Sequence, residues 1–400
     1  MNDDISPFPS CFPVPGFRLS AIASGMRYVT FDLGLVVADG PCASAGVFTR
    51  NLCAAAPVIW SRRVTDARAI LVNSGQANAQ TGEPGMADCA ASAEAVSELT
   101  GIPASQIFLA STGVIGQRIR MDKMMKAIPD LVKGLDGSKL DEFSVSILTT
   151  DTVPKACRLT LPMGGETDCT IWGCVKGAGM ISPNMATMLC FILTDVPVAP
   201  AYLQDALRRA AETTFNRITV DGDTSTNDSV MILSSLAGPL PPLESPASPN
   251  AGLFEEKLGE LMQYLATRVI DDAEGATKTV TVTVRKAETD EQAMAAARAI
   301  ANSPLVKTAF YGKDANWGRI MCALGYSGAS LDPYKVDLYL DDVHWVKDGM
   351  DNGHETEAVD VMGNESFTLT ALLNRGEGNA TVLTCDLTDE YVKINASYRS

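Results

Sequence analysis

The residues from Gly173 to Asp195, GCVKGAGMISPNMATMLCFILTD, carry a hydroxyl in a position suited to nucleophilic chemistry. Glycines after Lys176 give a flexible loop, and Pro183–Asn184 is typical of a turn. Thr187 then follows the small residue Ala186 and stands at the entrance to an apolar strand. Threonine is common at the beginning of strands for structural reasons alone. The chemical interpretation therefore depends on what the other loops supply.

Two other loops supply polar groups of the kind that acyl transfer needs. Ser111–Gly116, STGVIG, follows a short apolar strand and offers a hydroxyl and backbone N–H groups, which are the components of an oxyanion hole. Thr219–Asp228, TVDGDTSTND, is dense in side-chain acceptors. It is consistent with an Asx-rich turn or with a calcium loop, although no glutamate closes the span as an EF-hand requires.

The glycine-rich segment after Lys176 does not match the known nucleotide-binding loops. A P-loop needs Gly-Lys-Ser/Thr after its glycines, and a dinucleotide-binding turn needs Gly-x-Gly-x-x-Gly. Neither pattern occurs in the chain. The glycines therefore give no indication of a phosphate-bearing cofactor.

The scarcity of histidine limits the mechanisms open to the chain. His344 and His354 are the two histidines of the sequence, and no His-Glu-x-x-His occurs. Paired-histidine zinc sites are therefore disfavoured, and a Ser-His-Asp or Cys-His arrangement would have to use one of the two. His344 lies in a predicted strand and His354 in a predicted turn. We therefore expect a general base other than histidine.

Composition predicts a globular protein that does not bind nucleic acid. The 400 residues are 46% hydrophobic and 20% charged, with a net charge of −16, which disfavours nucleic acid and anionic membrane surfaces as partners. The acidic segment Met1–Pro7 lacks the features of a signal peptide, and no apolar run is long enough to span a bilayer. Ten scattered cysteines without a Cys-x-x-Cys pair indicate reduced thiols, so we expect a cytoplasmic location.

Helical and strand patterns alternate along the chain, which predicts a mixed α/β protein with large buried sheets. Helical spacing of apolar residues predicts helices over 86–99, 121–132 (with a kink at Pro129), 202–215 and 254–269. Apolar runs or alternation predict strands at 69–72, 108–109, 188–193, 230–233, 278–284, 335–345 and 379–394. A proline- and serine-rich stretch over 239–250 predicts a surface loop, and a domain boundary is expected within 275–290.

Five long blocks, taken together, resemble one family. They are KGAGMISPNMATML, STGVIG, TVDGDTSTNDS, GKDANWGRIMCALGYSG and CDLTDEYVKINASYRS. In these blocks the chain is similar to the ornithine acetyltransferases, which are also called arginine-biosynthesis bifunctional proteins. The resemblance extends from about Gly16 to the last residue, with every block in order.

The resemblance implies a fold and a maturation step. The expected fold is an α-β-β-α sandwich similar to the N-terminal-nucleophile hydrolases, with a smaller C-terminal α/β domain. We assign the catalytic sandwich to residues 1–280 and the C-terminal domain, which completes the active site, to 281–400. Members cleave themselves before the threonine of Asn-Met-Ala-Thr, here between Ala186 and Thr187. The products would be an α chain of 1–186 and a β chain of 187–400, assembled as a heterotetramer of two copies each.

The resemblance also carries individual roles onto matching positions. Thr187 would be the nucleophile, and Thr112 and Gly113 would form the oxyanion hole. The implied substrate-binding residues are Thr149, Lys176, Thr187, Glu274, Asn395 and Ser400. The family often ends in threonine, and Ser400 keeps the hydroxyl. Lys176 suits the α-carboxylate of an amino-acid substrate, and Glu274 suits the side-chain ammonium of ornithine.

The implied reaction is ping-pong acetyl transfer without a metal or cofactor. N²-acetylornithine would acetylate the threonine and release ornithine, and glutamate would then take the acetyl group as N-acetylglutamate. Some family members also accept acetyl-CoA as the donor, and the sequence does not distinguish the two kinds. Two rivals stay open at this point: a self-cleaving amidase or aminopeptidase of related fold, and an uncleaved binding protein.

Overall fold

The computed structural model describes residues 12–27, 30–164, 168–182, 188–238 and 240–396. The chain divides into two compact units. The first comprises Met1–Asn216 and Thr224–Val269, and the second comprises Arg217–Asp223 and Ile270–Ser400. The segment Thr219–Asp228 is therefore divided between the two units.

The first unit is built from two sheets and the helices that cover them. Its strands are β1 (Phe17–Ile22), β2 (Leu33–Ala38), β3 (Ala43–Phe48), β4 (Ala69–Gln76), β5 (Ile107–Val114), β6 (Lys155–Leu161), β7 (Cys169–Lys176), β8 (Leu189–Thr194) and β9 (Ser229–Ser234). Its helices are α1 (Ala56–Ser61), α2 (Gly82–Thr100), α3 (Met121–Lys133), α4 (Leu140–Ser146), α5 (Pro200–Thr213) and α6 (Ala251–Asp271), the last of which runs across the division between the units.

The two sheets pack face to face. One has the order β1-β2-β4-β5 and the other β3-β9-β8-β7-β6. Within them the pairs β4–β5 and β8–β9 are parallel, and the remaining pairs are antiparallel. Buried side chains from both sheets, including Val72, Phe108, Trp172 and Phe191, form one continuous core between them. Burial of this apolar surface holds the layers together.

Helices cover the outer faces of both sheets. On the four-stranded sheet, Leu71 of β4 packs in one cluster with Val96 of α2 and Ile128 of α3. On the five-stranded sheet, Gly173 of β7 leaves room for Leu261 of α6, which a methyl group at that glycine would approach to 2.9 Å. The layers are therefore helix, sheet, sheet and helix, which confirms the expected α-β-β-α sandwich.

The second unit contains a sheet of six strands. Its elements are β10 (Thr279–Ala287), α7 (Asp290–Ala301), α8 (Pro304–Gly312), α9 (Trp317–Tyr326), β11 (Asp337–Leu340), β12 (Val343–Lys347), β13 (Met350–Asp351), α10 (Glu355–Met362), β14 (Ser366–Leu372), β15 (Gly378–Cys385) and α11 (Asp389–Ala396). The sheet order is β13-β12-β11-β14-β10-β15. The valines of β10 are buried together with Ile300 of α7, as their alternation predicts.

Two sequence-based assignments were wrong. The expected loop Ser111–Gly116 is in part strand, because β5 continues to Val114 through parallel pairing with β4. The strand expected to reach residue 394 ends at Cys385, and α11 follows. The hydroxyl of Thr388 accepts a hydrogen bond from the N–H of Tyr391 (3.2 Å), and acidic residues occupy the first turn of α11. Both features favour the beginning of a helix.

Most of the described cysteine side chains lie inside the protein. The nine cysteines in the described part of the chain are free, and six of them are buried. Burial raises the pKa of several of these thiols, for example that of Cys89 to about 12. They are therefore protonated and inert at neutral pH. Over the same described ranges, no helix is long and apolar enough to cross a membrane.

Candidate active site

Three of the predicted site residues meet at one ammonium group. The Nζ of Lys176 donates hydrogen bonds to the Oγ1 of Thr112 (2.9 Å) and the Oγ1 of Thr149 (2.8 Å). These residues are far apart in the sequence, and the two sheets bring them together. Lys176 is the last residue of β7, Thr112 lies near the end of β5, and Thr149 follows α4. The first unit therefore offers a cation and two hydroxyls in one place.

Gly113 lies where two backbones approach closely. Its φ is +129°, and that of Gly75, its partner in β4, is +113°. A Cβ on Gly113 would lie 2.3 Å from the carbonyl carbon and oxygen of Gly75 and 2.8 Å from the nitrogen of Gln76. Because these neighbours are backbone atoms, no side-chain movement could relieve the contact. Glycine is therefore required at this position, next to the hydroxyl of Thr112.

Asn227 is a site-building residue that the sequence analysis missed. Its Nδ2 donates to the carbonyl oxygen of Ala77 (2.6 Å) and to that of Ser111 (2.8 Å). The Oγ of Ser111 in turn donates to the Oδ1 of Asn73 (2.6 Å). One buried amide thus ties the end of β4 to the residue before Thr112. The density of polar side chains in TSTND is the available signal, although the same density also predicts a turn or a calcium loop.

The two halves of the segment Thr219–Asp228 have different roles: the second half contains Asn227, and the first half forms a turn. Asp221 accepts a hydrogen bond from the N–H of Asp223 (3.1 Å), which is the local pattern of an Asx turn. In the part of the chain that the structure describes, no group of three or more histidine, cysteine or acidic side chains could hold a metal ion. The Asx turn is thus present, and no calcium site is found among the described residues.

Asp228 places a buried carboxyl beside the strand that follows the predicted nucleophile. Burial raises its pKa well above the ordinary value, although a hydrogen bond from the backbone of Met188 and the charge of Lys176 act in the opposite direction. Within the described ranges its Oδ2 has no hydrogen-bond partner. This carboxyl therefore holds its proton to a higher pH than an exposed aspartate does.

Two further predicted residues meet in the second unit. The Nδ2 of Asn395, in α11, donates to the Oε2 of Glu274 (2.8 Å) and to the carbonyl oxygen of Tyr391 (3.1 Å). The hydroxyl of Tyr391 donates to the Oδ2 of Asp221 (3.1 Å). Glu274 is buried, with 9% of its surface exposed, and the amide donor holds its carboxylate in a fixed orientation.

Three of the predicted positions lie outside the described residues. Ala186 and Thr187 fall in 183–187, and Ser400 falls in 397–400. The contacts around Lys176 and Glu274 are therefore described without these three residues.

We expect Gly113→Ala to lower the free energy of unfolding by at least about 2 kcal/mol, because left-handed strain and overpacking each cost ~1–3 kcal/mol. Denaturant unfolding followed by circular dichroism measures this change. Gly40→Ala is the matched control, since a Cβ at Gly40 meets nothing within 4 Å. Equal stability of the two variants would contradict the assigned backbone contact.

Comparison with known proteins identifies close relatives over nearly the whole chain. The model of the ArgJ family matches residues 18–400. The arginine biosynthesis bifunctional protein ArgJ of Geobacter sulfurreducens is 47% identical over 393 residues, which are 97% of this chain and 100% of the relative. The protein of the same name from Chlorobaculum tepidum is 46% identical over 391 residues, which are 96% of each chain.

A solved structure gives the same assignment. The crystal structure of the arginine biosynthesis bifunctional protein ArgJ from Bacillus halodurans is 40% identical, with a TM-score of 0.50. The match covers 52% of this chain and 98% of that chain. The family model and the whole-length relatives are sufficient by themselves: the chain belongs to the ArgJ family.

Proposed function

We propose that this protein transfers the acetyl group of N²-acetylornithine to glutamate, giving ornithine and N-acetylglutamate, as a step of arginine biosynthesis. Membership of the ArgJ family and the printed names of its whole-length relatives support this activity. The single structural observation that carries it is the Lys176 ammonium, which lies within hydrogen-bond distance of both Thr112 and Thr149. Both substrates are amino acids, and each presents a carboxylate to such a cation.

Thr187 is the proposed acyl carrier. Cleavage between Ala186 and Thr187 would give it a free α-amino group, with a pKa of about 7.7–8.0. That amine takes the proton from the threonine hydroxyl as the oxygen attacks the acetyl carbonyl. The C–N bond of the acetamide then breaks, and the proton passes to the leaving amine of ornithine. This route needs no histidine, which agrees with the scarcity of histidine in the sequence, where it occurs only twice.

Thr112 and Gly113 are the proposed oxyanion hole. Negative charge develops on the acetyl oxygen in each half-reaction, and donors arranged beforehand stabilise it. The close contact of Gly113 with the Gly75 backbone supports this role, because a rigid backbone costs little reorganisation during the reaction. The hydroxyl of Thr112 accepts from Lys176, so its own proton is directed away from the ammonium.

The remaining assignments are proposals about substrate binding. Lys176 and Thr149 would hold the α-carboxylate, and Glu274 would hold the side-chain ammonium of ornithine. Asn395 supports the carboxylate of Glu274 at 2.8 Å. Ser400 stays assigned on the family pattern alone. We further propose that no metal or cofactor takes part, that acetyl-CoA is at most a second acetyl donor, and that the mature enzyme is a cytoplasmic heterotetramer of two α and two β chains.

Isotope transfer tests the proposed reaction. We expect protein incubated with acetyl-labelled N²-acetylornithine and unlabelled glutamate to yield labelled N-acetylglutamate in step with ornithine release, as read by mass spectrometry. A reaction without glutamate serves as the control for hydrolysis. Release of the label as free acetate at the same rate with and without glutamate would instead indicate an amidase and overturn the proposal.

Maturation gives a second prediction. The cleaved protein should run on a denaturing gel as two fragments, and Thr187→Ala should remain one chain without transfer activity. Thr187→Ser keeps a hydroxyl, so we expect slow cleavage and reduced activity. Thr213→Ala, at the end of α5, is a matched control and should be cleaved normally. An active wild-type protein that consists only of the full-length chain would contradict this mechanism and favour an uncleaved one.

A further inference from the structure

A buried ion pair contacts the backbone next to Lys176. The Nζ of Lys155 donates to the Oδ1 of Asp151 at 2.6 Å, and the two side chains are 1% and 0% exposed. Lys155 begins β6 and pairs with Val175, the neighbour of Lys176 in β7. Removing both charges from water is costly, and an apolar pair of similar volume often gives equal stability. A contribution to stability is therefore a weak explanation for this pair.

The contacts of Asp151 connect it to both sides of the proposed carboxylate-binding group. Its Oδ1 also accepts from the N–H of Gly177 (2.7 Å), the residue after Lys176. Its Oδ2 accepts from the N–H of Thr149 (3.0 Å), whose hydroxyl accepts from Lys176. One carboxylate thus fixes the backbone that carries the ammonium and the backbone that carries one of its acceptors.

We propose that the Asp151–Lys155 pair is the positioning unit of this site, which aims the Lys176 ammonium at the substrate carboxylate and sets its charge. The proposal deepens the function proposed above and rests on it in naming that carboxylate as the ligand. Lys155 has a defined part in this unit. It shares the charge of Asp151, so that Asp151 does not pair fully with Lys176 and withdraw the ammonium from the substrate.

The charges around Asp151 agree with the roles proposed for Asp151 and Lys155. Burial by itself raises the pKa of Asp151, but the ammonium groups of Lys155 and Lys176 outweigh it and hold the pKa at about 2. Asp151 is therefore ionised throughout the pH range in which the enzyme can be assayed. Its negative charge in turn favours the protonated form of Lys176.

Two other charged groups lie near this cluster, which comprises Asp151, Lys155 and Lys176. The Asp228 carboxyl interacts with Lys176, with a pKa that burial raises well above the ordinary value. The guanidinium of Arg27 donates to the carbonyl oxygens of Leu148 and Thr149, on the segment that precedes Asp151. Both groups are held by contacts with other residues: Arg27 by the carbonyl oxygens of Leu148 and Thr149, and Asp228 by the backbone of Met188. Substitutions at Asp151 and Lys155 therefore change the charge at Lys176 and leave these neighbours in place.

The experiment compares Asp151→Asn, Lys155→Met, the double variant and the wild type. Lys155→Met should raise KM for N²-acetylornithine by about 10- to 100-fold, the loss expected for one charge-assisted hydrogen bond, with a much smaller change in kcat. Asp151→Asn leaves two ammonium groups close together and should therefore lower the pKa of Lys176. The alkaline loss of kcat/KM then moves to lower pH, since a neutral amine cannot hold a carboxylate.

The double variant separates charge from simple damage to the fold. It removes one negative and one positive charge together, so the pKa of Lys176 should return toward the wild-type value, and KM should fall below that of either single variant. If the two substitutions instead caused independent structural defects, their effects on KM would add. Lys257→Met removes a lysine that pairs with Glu260 at 2.8 Å in α6, and as the matched control it should leave KM unchanged.

A second readout does not depend on catalysis. Trace acetic anhydride labels neutral amines. Mass spectrometry of the Lys176 peptide after labelling at a series of pH values therefore gives the titration midpoint of this lysine, which is the pH at which half of its amine is neutral. We expect the midpoint to fall in Asp151→Asn, to rise in Lys155→Met and to return toward the wild-type value in the double variant. These shifts would support the positioning unit even if the isotope experiment rejected acetyl transfer.

Three results would overturn the inference. One is an unchanged Lys176 midpoint in both single variants. Another is a normal KM in Lys155→Met, the variant that leaves every backbone contact of Asp151 intact. The third is a double variant whose defect is the sum of the two single defects. If Asp151→Asn fails to fold, Lys155→Met and the double variant still decide between these outcomes.

Discussion

The hydrogen bonds of the Lys176 ammonium to Thr112 and Thr149 are the interaction on which the account of this site depends. A half-buried ammonium needs acceptors, and the two hydroxyls provide them. Each partner comes from a different part of the sandwich, so the contact exists only when both sheets have packed. The fold thus acts as the frame that holds one cation beside two hydroxyls.

Backbone geometry supplies the other half of the site. Gly75 and Gly113 approach so closely that a methyl group could not fit, and the amide of Asn227 ties Ala77 to Ser111 on the same edge. These contacts make the N–H groups near Thr112 rigid. A rigid donor array is what stabilisation of a developing oxyanion requires, because the donors then need no reorganisation as the charge appears.

Local patterns predicted much of the fold, and long-range contacts explain the errors. The strict alternation over 278–284 gave β10, and the spacing over 121–132 gave α3 with Pro129 inside it. The extension of β5 arises from pairing with β4, which no local pattern reveals. Asn227 and Asp151 were missed for the same reason, since their roles lie in contacts with distant backbone. The other site residues were predicted through the family resemblance, and their spacing alone would not have distinguished them.

The most direct test of the account is whether the acetyl group becomes covalently bound to Thr187. Protein incubated with N²-acetylornithine and no acceptor should gain one acetyl mass on the fragment that begins at Thr187, as read by intact-mass and peptide spectrometry. Added glutamate should remove that mass and release N-acetylglutamate. Active protein that never carries the acetyl group, together with intersecting initial-rate lines for the two substrates, would mean direct transfer in a ternary complex. That result would contradict the central role given to Thr187.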